Sequence, residues 1–125
     1  MRTLLLMSMI CLVACGEEDG PTMRPGENCK GCHGELTLAG TVFPSAQAEA
    51  NEGIAGVTVS VLDSAQNTLT LTSNSAGNFY TDKPITWPAN MTLTLGTRRA
   101  TMSGAPSGDC ATCHTIGVQG LIYLP

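Results

Sequence analysis

Four cysteines and two histidines stand in two copies of one pattern, Cys29-Lys30-Gly31-Cys32-His33 and Cys110-Ala111-Thr112-Cys113-His114. Cys-x-x-Cys-His is the spacing that attaches haem covalently. Two thiols three residues apart on one turn of chain can form thioethers with the two vinyl groups on adjacent pyrroles. The next residue then presents an imidazole to the iron. The two motifs hold both histidines of the chain and every cysteine except Cys11 and Cys15. The pattern predicts two haems c, bonded through Cys29, Cys32, Cys110 and Cys113, with His33 and His114 as proximal iron ligands.

Distal ligation is then a matter of supply. Each iron takes one histidine and none is left over. The soft donors that remain beyond residue 14 are Met23, Met91 and Met102. Met91 heads an alternating strand and reads as core, and Met23 lies in a Gly/Pro-rich stretch. Met102 stands in a Gly/Ser/Pro-rich loop just before Cys110, on no periodic face, and is the first choice for a distal ligand. His/Met ligation raises the reduction potential above that of a bis-histidine site. Arg98 and Arg99 are candidates to pair with propionates or to be solvated loop charges, and Trp87 reads as a packing or rim residue. With both histidines committed, no acid/base constellation remains. The expectation is an electron carrier and not an enzyme.

The same cysteines admit two other uses. Each Cys-x-x-Cys could close a disulfide, or the four thiolates could hold zinc. Either would make the chain an exported structural or binding module, with the cysteine pairs as staples or as a zinc site.

What precedes the first motif addresses the chain to its compartment. Residues 1–14 carry one base, Arg2, and an apolar run, LLLMSMICLV, of the length of an export signal and too short to span a bilayer. Leu12-Val13-Ala14-Cys15 resembles the lipobox of bacterial lipoproteins, which implies lipidation at Cys15 and a membrane anchor that does not span. Cleavage there removes one base and no acid, so the formal charge of −4 becomes −5. That balance excludes nucleic acid as a partner, because nothing would neutralise phosphates. Residues 15–28 are acidic and rich in Gly and Pro, the composition of a flexible tether. The expected location is the periplasmic face of a membrane or the cell surface.

Between the motifs the hydrophobic period is two, as in half-buried strands. Val57, Val59 and Val61 alternate with Thr58 and Ser60; Leu69 and Leu71 with threonines; Met91, Leu93 and Leu95 with Thr92 and Thr94. Leu36, Leu38 and Val42 suggest an earlier strand, and residues 121–124 a closing one. Residues 63–67 and 74–78 read as turns, with Gly77 suited to positive φ. No stretch of ten residues carries a helical stripe. The pattern predicts an all-β domain over residues 29–125, a small antiparallel β-sandwich with haem-binding loops at its N- and C-terminal ends.

Residues 53–59, GIAGVTV, and 72–79, TSNSAGNF, resemble the carboxypeptidase regulatory-like domain, a prealbumin-like β-sandwich. The resemblance spans residues 38–95. It departs where Asn74 and Ala76 replace the usual acidic residues and at Trp87-Pro88-Ala89-Asn90. That fold implies a scaffold with no chemistry of its own. In its paired motifs the chain is similar to small multihaem c-type cytochromes. The resemblance implies redox proteins as partners, with copies of the chain itself among possible neighbours.

Overall fold

The structure is a computed structural model, and it describes residues 29, 32–114 and 121–125. The signal, Cys15, the tether and Met23 lie outside the described residues.

Six strands are formed: β1 (Leu38–Thr41), β2 (Thr58–Asp63), β3 (Thr68–Thr72), β4 (Asn78–Thr81), β5 (Ala89–Leu95) and β6 (Arg98–Ala105). One helical turn, α1, covers Cys110–Cys113. The strands make two antiparallel sheets, β1-β4 and β3-β2-β5-β6. Leu38 and Phe79 from the small sheet and Val59, Val61, Met91 and Leu93 from the large one join Val42 and Val57, which flank β1 and β2, in a single buried cluster. This is the expected all-β sandwich, and the alternation seen in sequence is its cause: Val59 and Val61 face inward, while Ser60 between them is only partly covered.

The turns are built as their residues dictate. Asp63 is buried at the end of β2 and accepts from the N–H groups of Ala65, Asn67 and Thr86. The Thr86 bond, aided by Asn67 and Ala65, holds its carboxyl below the ordinary carboxylate range, against the opposing effect of burial. Asn74 closes the next turn through bonds from Ala76 and Asn78, and Gly77 takes φ 85° as anticipated.

Two expectations are corrected. The segment holding Met102 is not a loop: Arg98–Ala105 is the edge strand β6, with Met102 opposite Met91 in register. Its inward residues, Ala100, Met102 and Ala105, are small or flexible, and Gly104 sits at φ 68°, so the apolar period is faint. The C-terminal residues form no full strand. They cross the sandwich as a strap, with a parallel bridge between Phe43 and Tyr123. Phe43 donates to Ile122 O at 2.8 Å and Leu124 donates to Phe43 O at 3.1 Å. Leu124 is wholly buried.

Candidate metal centre

Both motifs fold into the same local turn. The N–H of His33 donates to Cys29 O at 2.8 Å, and that of His114 donates to Cys110 O at 2.9 Å. Each bond is the i to i−4 link of one helical turn, which brings the first cysteine, the second and the histidine to one side. The requirement for two thiols beside one imidazole is thus met by chain geometry alone.

Their surroundings differ. The C-terminal turn is docked on β1: Ala39 donates to Gly108 O at 3.1 Å and bridges Asp109. The approach at Gly108 is so close that a Cβ there would fall 1.8 Å from the Thr37 carbonyl oxygen. This seats α1 beside an apolar cavity of about 380 Å³, within the range of small-molecule and cofactor sites. Phe79, Met91 and Leu93 line it from the core, and Ile122 and Tyr123 from the strap. Cys110, Cys113 and His114 all border it.

Met102 borders it as well, and its Sδ lies 3.5 Å from His114 Nε2. His114 and Met102 are therefore the residues that would offer a metal a nitrogen and a thioether here, and the three rotatable bonds of Met102 let it adjust to one. The other ring nitrogen, Nδ1, is buried and has no hydrogen-bond partner. Cys110 and Cys113 are thiols outside any disulfide. The donor set, the cavity and the thiols fit one covalently held iron porphyrin.

The N-terminal turn is more exposed, with Cys32 at the surface. The side chain of His33 is 42% exposed, and its Nδ1 lies 3.3 Å from Oε1 of Glu35. That contact leaves Nε2 as the nitrogen whose lone pair could meet a metal. Cys29 is a thiol, whereas Cys32 is disulfide-bonded. A sulfur in a disulfide cannot add to a vinyl group, so haem attachment here requires that bond to be reduced first. Among the described residues no three His, Cys, Asp or Glu side chains gather as a metal site.

The remaining candidates separate cleanly. Met91 is core, as expected, and also lines the cavity. Trp87 packs against the core. Arg98 is engaged by the strap, donating through Nη2 to Leu124 O at 2.7 Å and through Nε to Pro125 O at 3.0 Å. Arg99 borders the cavity and is the arginine placed to meet an acidic group there. Sequence reasoning missed Asp109, which borders the same cavity and immediately precedes the second motif. Its place just before Cys110 was the available signal.

Compared with known proteins, the chain matches no family model, no curated protein and no solved structure.

Proposed function

We propose that the chain is an exported, lipid-anchored electron carrier bearing two covalent haems c, and not an enzyme. The observation that carries this reading is the meeting of His114 Nε2 with Met102 Sδ at 3.5 Å, beside Cys110 and Cys113, at one apolar cavity. A nitrogen donor, a thioether and two thiols converging on one space is the protein's half of a His/Met c-type site. An apolar wall around such a group limits water and keeps reorganisation small, which suits electron transfer more than substrate turnover. His33 with Cys29 and Cys32 holds the second haem, nearer to solvent, where a redox partner can approach. Cys15 carries the lipid, with the domain outside the cytoplasm.

The test is intact mass and a visible spectrum of protein made in a host with c-type maturation. The expected mass exceeds that of the apo form by two haems, with sharp reduced bands. Absence of haem at Cys110 and Cys113, with alkylatable thiols or bound zinc in its place, overturns the proposal.

A second reading rests on Cys32. Its disulfide favours a staple at the N-terminal motif and a single haem at the cavity. A mass increase of one haem, lost on changing Cys110 and Cys113 to alanine, would select it.

A further inference from the structure

Asp109 and His114 flank α1 at its two ends, as N-cap and C-cap. Among the described residues, the two buried side-chain polar atoms without a hydrogen-bond partner are Asp109 Oδ1 and His114 Nδ1. Both residues border the cavity. An orphaned buried polar atom forfeits its hydration without a replacement bond, so two at one site call for an explanation.

Their chemistry is complementary. A histidine that gives Nε2 to a metal carries its proton on Nδ1 and becomes a donor there. A carboxylate oxygen accepts. Asp109 is also at the position where an aspartate ordinarily accepts from the first helical N–H groups, yet it makes no such cap bond. The carboxylate forgoes it and keeps an oxygen buried at the cavity instead.

The geometry points to Asp109 as the positioning residue of His114: with iron on Nε2, the Nδ1 proton is donated to Asp109, directly or through one water. This rests on the haem reading above and deepens it. The bond fixes the tautomer and the ring plane, and a negative acceptor increases the ligand's electron donation to iron. Met102 on the other side pulls the opposite way, since thioether ligation raises the potential. Asp109 therefore sets how far that rise goes.

The experiment uses the haem-loaded chain with Asp109→Asn and Asp109→Glu. Asparagine keeps the shape and removes the charge, and no cap bond is lost with it. Spectroelectrochemistry should show the potential of one haem raised by Asp109→Asn and the other unchanged, with Asp109→Glu returning most of the shift. In a Met102→Ala background the ferrous iron–histidine stretch should fall in frequency on adding Asp109→Asn. Loaded, folded Asp109→Asn protein with neither change overturns the inference. Should Asp109→Asn fail to load, the unmutated protein decides: the ring N–H of His114 should exchange slowly with deuterium, and exchange within the mixing time overturns it. Failure of the haem reading itself would show differently, as a wild-type mass without haem at Cys110 and Cys113.

Discussion

The two Cys-x-x-Cys-His motifs are one device in two settings. Both close the same helical turn, from histidine N–H to the first cysteine's carbonyl, at 2.8 and 2.9 Å. One sits beside a cavity, with a thioether against its imidazole and a carboxylate nearby that buries one oxygen. The other presents a histidine that is 42% exposed, against a glutamate that is 67% exposed. The difference teaches that the turn is local, while its surroundings are tertiary. Five residues suffice for the turn; the thioether beside His114 and the apolar wall need β5, β6 and the strap.

The largest expected effect comes from removing each pair of cysteines. Changing Cys110 and Cys113 to alanine should lose one haem and leave the cavity unfilled. The stability loss should be on the order of 3–5 kcal/mol relative to the loaded protein, similar to truncating a large buried aromatic. The same change at Cys29 and Cys32 should lose the other haem at less than about 1 kcal/mol, because nothing buried is vacated there. Thermal melts of both double variants, with mass, check this. Equal losses would erase the distinction between the sites.

Next is Met102→Ala. The side chain is partly buried against the core and opposite Met91, so truncation should cost roughly 1–2 kcal/mol, less than for a fully buried methionine. Its electronic effect should fall on one haem only. The weak charge-transfer band at the red end of the oxidised spectrum should vanish, and the potential of that haem should drop. A band that survives would transfer the thioether role to Met91 or Met23.

Much of this was legible in the residues, for physical reasons that can be named. Val57, Val59 and Val61 declared β2 because a half-buried strand must alternate. Both attachment turns declared themselves because their bonds span four residues. β6 did not, since Ala100, Met102 and Ala105 make a weak apolar face and Gly104 interrupts it. Met102 was nevertheless singled out by elimination among the soft donors, and its contact with His114 comes from two chain segments meeting across 12 residues. The cavity was invisible for a further reason: its walls come from β4, β5, β6, α1 and the strap. Nor does any local pattern show that Arg98 would serve the strap while Arg99 bordered the cavity.

Arg98→Ala tests how the strap closes the cavity. Two hydrogen bonds to the carbonyls of Leu124 and Pro125 would go, at about 1–1.5 kcal/mol in total because they lie near solvent. Hydrogen exchange should quicken at Leu124 and Phe43, which the strap pairs. The visible bands of the cavity haem should then respond to added small ligands such as imidazole, while those of the exposed haem are unaltered from wild type. An unchanged exchange pattern would mean that burial of Leu124 alone holds the strap.

The smallest effect should come from Glu35→Gln, and its smallness is informative. Glu35 stands to His33 Nδ1 as Asp109 is proposed to stand to His114, an acceptor behind a ligating ring. Both partners are exposed, however, and an exposed ion pair contributes about 0–1 kcal/mol. Water replaces the lost acceptor at little cost, so stability should change by less than about 0.5 kcal/mol. The potential of the N-terminal haem should rise, but by less than Asp109→Asn raises that of the cavity haem, because charge interactions weaken as the effective dielectric grows. Salt separates the two further. Raising ionic strength from 0.1 M to 1 M shortens the screening length from about 10 to about 3 Å, which should erase the Glu35 effect and leave more of that of Asp109, whose Oδ1 is buried. A Glu35→Gln shift equal to that of Asp109→Asn, and equally insensitive to salt, would place both histidines in similar surroundings in the loaded protein and end the contrast between the motifs.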